Sequence, residues 1–176
     1  MNVSRQPVAQ ALSMLKVQGF VQDAGRRGLV VATIDKPYFL SIYELREALD
    51  PLAARLAAKR ASVKDIAEAR QLIATGRSAV KSHAVPALIT CDMQFHMWTY
   101  RIAGNKLLVE IMQLYWNHLR RGMGAVLRDK RGRKQVWDEH EAIFKAVAAG
   151  DAVTAEKLAS RHIKDAATRV LNTLPY

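Results

Sequence analysis

The chain has a single cysteine, Cys91, among 176 residues. No internal disulfide can form, which agrees with a reducing compartment, so stability has to come from a packed core. It also lacks an apolar run long enough to cross a bilayer. The uncharged segment from Ser82 to Cys91 is about half of the roughly 18 to 20 residues required. The N-terminus has no apolar stretch of signal-peptide type. No membrane association is expected, and the protein reads as cytoplasmic. Acidic residues are scarce, with 16 Asp and Glu against 27 Lys and Arg and a formal net charge of +11. Missing too are internal repeats, low-complexity segments, a P-loop, a dinucleotide-binding fingerprint and a Ser-His-Asp order. Di-iron bundle enzymes need Glu-x-x-His pairs, but Met93, Trp137 and Ala159 stand three residues before His96, His140 and His162.

What is present is a body that is 50% hydrophobic, which excludes intrinsic disorder and suits one domain or one domain plus a fragment. The positive charge is unevenly spread. Residues 1–34 hold four basic residues against one acid, whereas residues 120–134 hold seven against the lone Asp129. The glycines of that second stretch read as a helix end and a solvated connection in preference to a nucleic-acid contact.

Two architectures follow one another along the chain. Ser4 as N-cap, Pro7 in the first turn, the spacing of Val8, Leu12 and Leu15, and Gly19 as a C-terminal stop predict a helix of about fourteen residues. Phe20–Gln22 and the β-branched Leu29–Thr33 flank a basic, Gly-rich tip and predict a hairpin. One helix and one hairpin cannot bury a core of their own. From residue 37 the pattern is helical, with helices expected at about 41–60, 62–82, 85–103, 105–126, 132–149 and 151–172. Ser41-x-x-Glu44 reads as a capping box for the first of these, and Pro51 should kink it. Short connections make sequential helices antiparallel neighbours. The fold class is mainly all-α, a six-helix antiparallel bundle (37–176) preceded by a small helix-plus-hairpin module (1–34).

The histidines can be tested against that bundle. His140 and His162 are equidistant from the Gly150-Asp151 turn and should lie level on adjacent helices. Asp92 and His96 are one helical turn apart, a spacing that lets both reach one ion. One carboxylate and three imidazoles suit a borderline divalent metal, zinc or nickel first, with iron or manganese possible. Such ligands facing an apolar interior are costly unless paired or metallated. Reflection about Gly104-Asn105 brings Gln113 level with His96 and Asn117 level with Asp92, which makes both candidates for the surrounding contacts. His83, near a helix end, and His118, on another level, are left outside the group. The pattern leaves sensing and catalysis both open.

The stretch NVSRQPVAQALSMLKVQGFV with the GRRG hairpin resembles the recognition helix and wing of GntR-type winged helix-turn-helix regulators, departing from their pattern at Asn2, Gln6, Ala9 and Gln10. YELREALDPLAARLAA, CDMQFH, EHEAIFKAVAAGD and SRH resemble the FCD effector domain of the FadR-like branch, and six helices resemble its VanR-type subgroup. The resemblance implies a homodimeric transcription factor, usually a repressor, that binds a DNA operator. It implies a metal held by Asp92, His96, His140 and His162 and a small carboxylate effector met by Arg46. It also implies DNA contacts from Ser4, Arg5 and Gln6 at the recognition helix and from Arg26, Arg27 and Gly28 on the wing. A full winged helix has about 40 further residues ahead of this point, so residues 1–34 are expected to be partly disordered or to pack on a neighbour. Alternatives are a stand-alone metal-dependent enzyme, for which only His118 offers a general base, and a truncated regulator that dimerises without binding DNA.

Overall fold

The computed structural model describes residues 4–173. The chain divides into two compact units, Met1–Asp35 and Lys36–Tyr176. In the first, α1 (Arg5–Val17) leads to a two-stranded antiparallel hairpin of β1 (Val21–Asp23) and β2 (Leu29–Val31), in the register Val21 to Val31 and Asp23 to Leu29. Gly19 ends α1 with φ 75°, and the Phe20 amide donates back to the Leu15 carbonyl. The predicted helix and hairpin are both present in this unit. Even so, α1 buries none of its side chains, and Val8, Met14 and Val17 are 47%, 58% and 87% exposed. Ser4 takes the extended N-cap conformation, but its side chain makes no capping bond.

The second unit consists of six helices: α2 (Lys36–Arg60), α3 (Val63–Ser82), α4 (Val85–Ile102), α5 (Lys106–Val126), α6 (Lys130–Ala148) and α7 (Ala152–Thr173). Helix α2 packs along α7 and also touches α4, α5 and α6, so it runs through the middle of the bundle. Small residues allow this: Ala53, Ala54 and Ala57 of α2 and Ala155 of α7 have no exposed surface. Around them Phe95, Trp98, Ile143 and Val147 fill the core.

Two sequence expectations are corrected. Helix α2 begins at Lys36, five residues before the proposed cap, and Ser41 donates to the Pro37 carbonyl one turn back, so no capping box forms there. Pro37 is tolerated in a first turn, and Phe39, Ile42 and Tyr43 supply a buried stripe that rewards the extension. The real capping box is Ser62 with Asp65 at the start of α3. In the basic stretch, Gly122 and Gly124 lie inside α5 and Gly132 inside α6. A Cβ on Gly122 would come 2.6 Å from the Phe39 ring, so that glycine is a close-approach position and not a stop.

Gly76 of α3 is the tightest such position. A Cβ there would fall inside the Trp137 indole, whose Nε1 donates to the Ile73 carbonyl at 3.1 Å. Gly76→Ala should therefore destabilise the bundle by about 3 kcal/mol, the upper end of ordinary overpacking costs, seen as a lowered urea midpoint. A midpoint equal to wild type would show that Trp137 can leave its slot.

Candidate metal centre

Four helices bring the site together. Helix α2 supplies Arg46 and Asp50, α4 supplies Asp92, His96 and Tyr100, α6 supplies Glu139 and His140, and α7 supplies His162 and Arg169. The two imidazoles placed level about the Gly150-Asp151 turn do face each other, with Nε2 atoms 3.3 Å apart. His96, His140 and His162 are all buried, and each offers a ring nitrogen within 4.8 Å of the others. Asp92 closes the group, with Oδ1 at 3.5 Å from His140 Nε2 and Oδ2 at 3.8 Å from His96 Nε2. Ligands bound at about 2.1 Å stand roughly 3 Å apart when adjacent and roughly 4 Å apart when opposed. The three imidazole nitrogens are grouped closely enough to share one ion, and the Asp92 carboxylate stands beside two of them.

Second contacts set the tautomers. The Glu139 carboxylate accepts from His162 Nδ1 at 2.7 Å, which leaves Nε2 with its lone pair toward the centre. Arg169 grips the same carboxylate with both terminal nitrogens, at 2.9 and 2.7 Å. Burial works against the Glu139 charge, but the bonds from His162 and Arg169 outweigh it and hold its carboxyl down at about 2. On the other side Arg46 donates to Asp50 at 2.9 Å, and the Tyr100 hydroxyl donates to Asp50 at 2.5 Å. Arg46 also lies 3.3 Å from both His96 ring nitrogens.

The electrostatics match a site built for neutral imidazoles. Burial, with Arg46 and the neighbouring imidazoles adding to it, drives His96 and His140 well below the ordinary histidine range. Burial pushes Asp92 up to about 7, with Arg46 pulling the other way. The buried Nδ1 of His140 has no hydrogen-bond partner among the described residues, while Phe95 stacks on its ring at 4.5 Å.

Beside the four donors opens a cavity of about 30 Å³. Tyr43, Arg46, Asp92, His96, His162 and Arg169 form its polar side, and Met123, Val126, Leu127, Val136, Ala166 and Val170 form the rest. Arg46, which the resemblance implied for the pocket, lines this cavity. Gln113 and Asn117 do not: both are exposed, because Met112 and Trp116 take the inward stripe of α5 and Trp116 lies 5.7 Å from His96. His118 is buried against Tyr38 and lines no part of the cavity. His83 caps α3 in the left-handed conformation. Asp50, Tyr100, Glu139 and Arg169 were missed. Three had a signal, since Asp50 follows Arg46 by four residues, Tyr100 follows His96 by four and Arg169 follows His162 by seven. Glu139 had none, being next to His140 in sequence yet reaching across to α7. In the first unit Arg5, Gln6, Arg26 and Arg27 are exposed, and Gly28 has φ 74° at the hairpin tip.

Residues 41–165 match the FCD domain. The chain belongs to the FCD family. Over 97% of its length it is 26% identical to the Uxu operon transcriptional regulator of Escherichia coli, covering 74% of that protein. It is also 26% identical to the HTH-type transcriptional regulator LutR of Bacillus subtilis, over 92% of this chain and 82% of that one. The fold is shared with E. coli McbR/YncC, at a TM-score of 0.85 and 17% identity over 98% of this chain and 87% of that one. A GntR regulator from Rhodococcus has a TM-score of 0.82 at 20% identity, over 99% of this chain and 83% of that one. This FCD protein is thus a GntR-type DNA-binding transcriptional regulator of the FadR-like branch and not an enzyme. Among its described residues no helix is long and apolar enough to cross a membrane.

The pKa directions give a signed prediction for the metal-free protein. Between about pH 5 and 6 the unfolded chain holds two protons on His96 and His140 that the folded state excludes, while the folded state holds one on Asp92 that the unfolded chain has released. From these three groups the unfolded chain binds one proton more, so stability should rise as pH rises through this window, by on the order of 1 kcal/mol per unit. Asp92→Asn removes the opposing proton. The slope should then double, with greater stability than wild type at pH 7.5. Urea denaturation at several pH values measures both, and parallel slopes would contradict the assignment.

Proposed function

We propose that this regulator senses a small carboxylate metabolite at a divalent metal held by Asp92, His96, His140 and His162. The observation that carries this reading is the convergence of one carboxylate and three buried imidazoles beside a cavity into which Arg46 also faces. His96 and His140, two of these residues, are imidazoles that burial holds neutral, the form that binds borderline metals. Zinc and nickel suit that donor set best, with iron and manganese as alternatives. When bound, the ion supplies a fixed positive anchor for carboxylate oxygens. The chain's own part is orientation: Glu139 fixes the His162 ring, and Asp50 with Tyr100 fixes the Arg46 guanidinium.

The DNA-reading part is the first unit, with Ser4, Arg5 and Gln6 at the start of α1 toward phosphates and base edges. Arg26, Arg27 and Gly28 on the hairpin tip would reach the minor groove. The protein acts as a homodimer on its operator, probing one state with effector and another without. Each tenfold change in operator affinity requires about 1.4 kcal/mol of coupling between cavity and DNA.

His140→Ala and His162→Ala should each abolish stoichiometric zinc or nickel binding and the carboxylate response together, as read by calorimetry. Zinc affinity of the wild type should fall as pH drops through about 7, where the buried Asp92 takes up a proton that the ion has to displace. Unchanged carboxylate affinity in a variant that binds no metal would overturn the reading.

A further inference from the structure

The charges lining the cavity restrict what kind of carboxylate it takes. Two arginines face it, and each already has its own buried or half-buried acid: Arg46 is paired with Asp50 and Arg169 with Glu139. Neither guanidinium has a whole unit of charge left for a second anionic group. Each does retain one unused donor, since the buried Nε of Arg46 and that of Arg169 have no partner among the described residues.

The remaining wall agrees. Met123, Val126, Leu127, Val136 and Val170 offer no side-chain hydrogen-bonding group. A second carboxylate against that wall would be desolvated without a counter-charge, and the hydroxyls of a sugar acid would give up water without gaining partners. The cavity's volume of about 30 Å³ is on the scale of two waters, the size of one carboxylate head group.

We infer that the effector is a short aliphatic monocarboxylate, and that Asp50 and Glu139 act as specificity determinants by neutralising Arg46 and Arg169 against dicarboxylates. This rests on the carboxylate-sensing reading above. Removing either acid frees one arginine charge and opens the site to a second anionic group.

The test is calorimetric titration of the zinc-loaded full chain with butanoate, succinate and gluconate, the first two having the same number of carbons. Butanoate should bind at least tenfold more tightly than either of the others. In Glu139→Gln, and separately in Asp50→Asn, the gap between butanoate and succinate should shrink by about tenfold through a gain for succinate. Wild-type binding of succinate or gluconate as tight as that of butanoate overturns the inference and leaves carboxylate sensing intact. Heats from none of the three overturn both. The wild-type comparison decides the matter even where a variant fails to fold.

Discussion

Water is excluded from a group of side chains that would ordinarily demand it, and the bundle is organised around that exclusion. Arg46, Asp50, Asp92, His96 and His140 each have at most 5% of their surface exposed. An isolated charge at such depth costs several kcal/mol, so each has to be neutralised or paired where it stands. Arg46 and Asp50 are paired along one helix, the imidazoles are held neutral, and Asp92 lies where either a proton or a cation satisfies it. Because the partners come from α2, α4, α6 and α7, the polar cluster fixes which helices must be neighbours. The apolar residues around it then decide how closely they approach.

Under the proposed reading, the same arrangement would let a small ligand act on a large fold. Arg46 and Arg169 stand on the two helices that pack most intimately, along a seam of alanines with no exposed surface. With little side-chain bulk between them, α2 and α7 cannot absorb a shift by rotamer changes and must move as rods. A ligand that holds both guanidiniums fixes the spacing of those rods, the kind of two-state element that allosteric coupling requires.

Much of this was legible before any coordinates. The helical periods, the Gly and Asn breaks, the one-turn spacing of Asp92 and His96 and the mirror placement of His140 and His162 about their turn point to the bundle and turn these four side chains toward its interior. The reflection argument failed for Gln113 and Asn117 because it fixes height and not rotation. On α5 the inward stripe belongs to Met112, Trp116 and Leu119, and a polar residue one position away points to solvent. The start of α2 was misplaced because a good local cap at Ser41 was outweighed by the burial of Phe39. Glu139 could not have been found, since its role depends on the distance between α6 and α7, which no local pattern encodes.

Helix α3 contributes no donor to the site, yet it sets the position of one. Trp137 lies over Gly76, bonded to the Ile73 carbonyl, and meets the His140 ring edge-on at 5.0 Å. The indole thus works as a spacer between the α3 backbone and a ligand imidazole, with no slack at either end. The candidate centre can therefore be retuned through residues that never line it, because any change that lifts Trp137 re-aims His140.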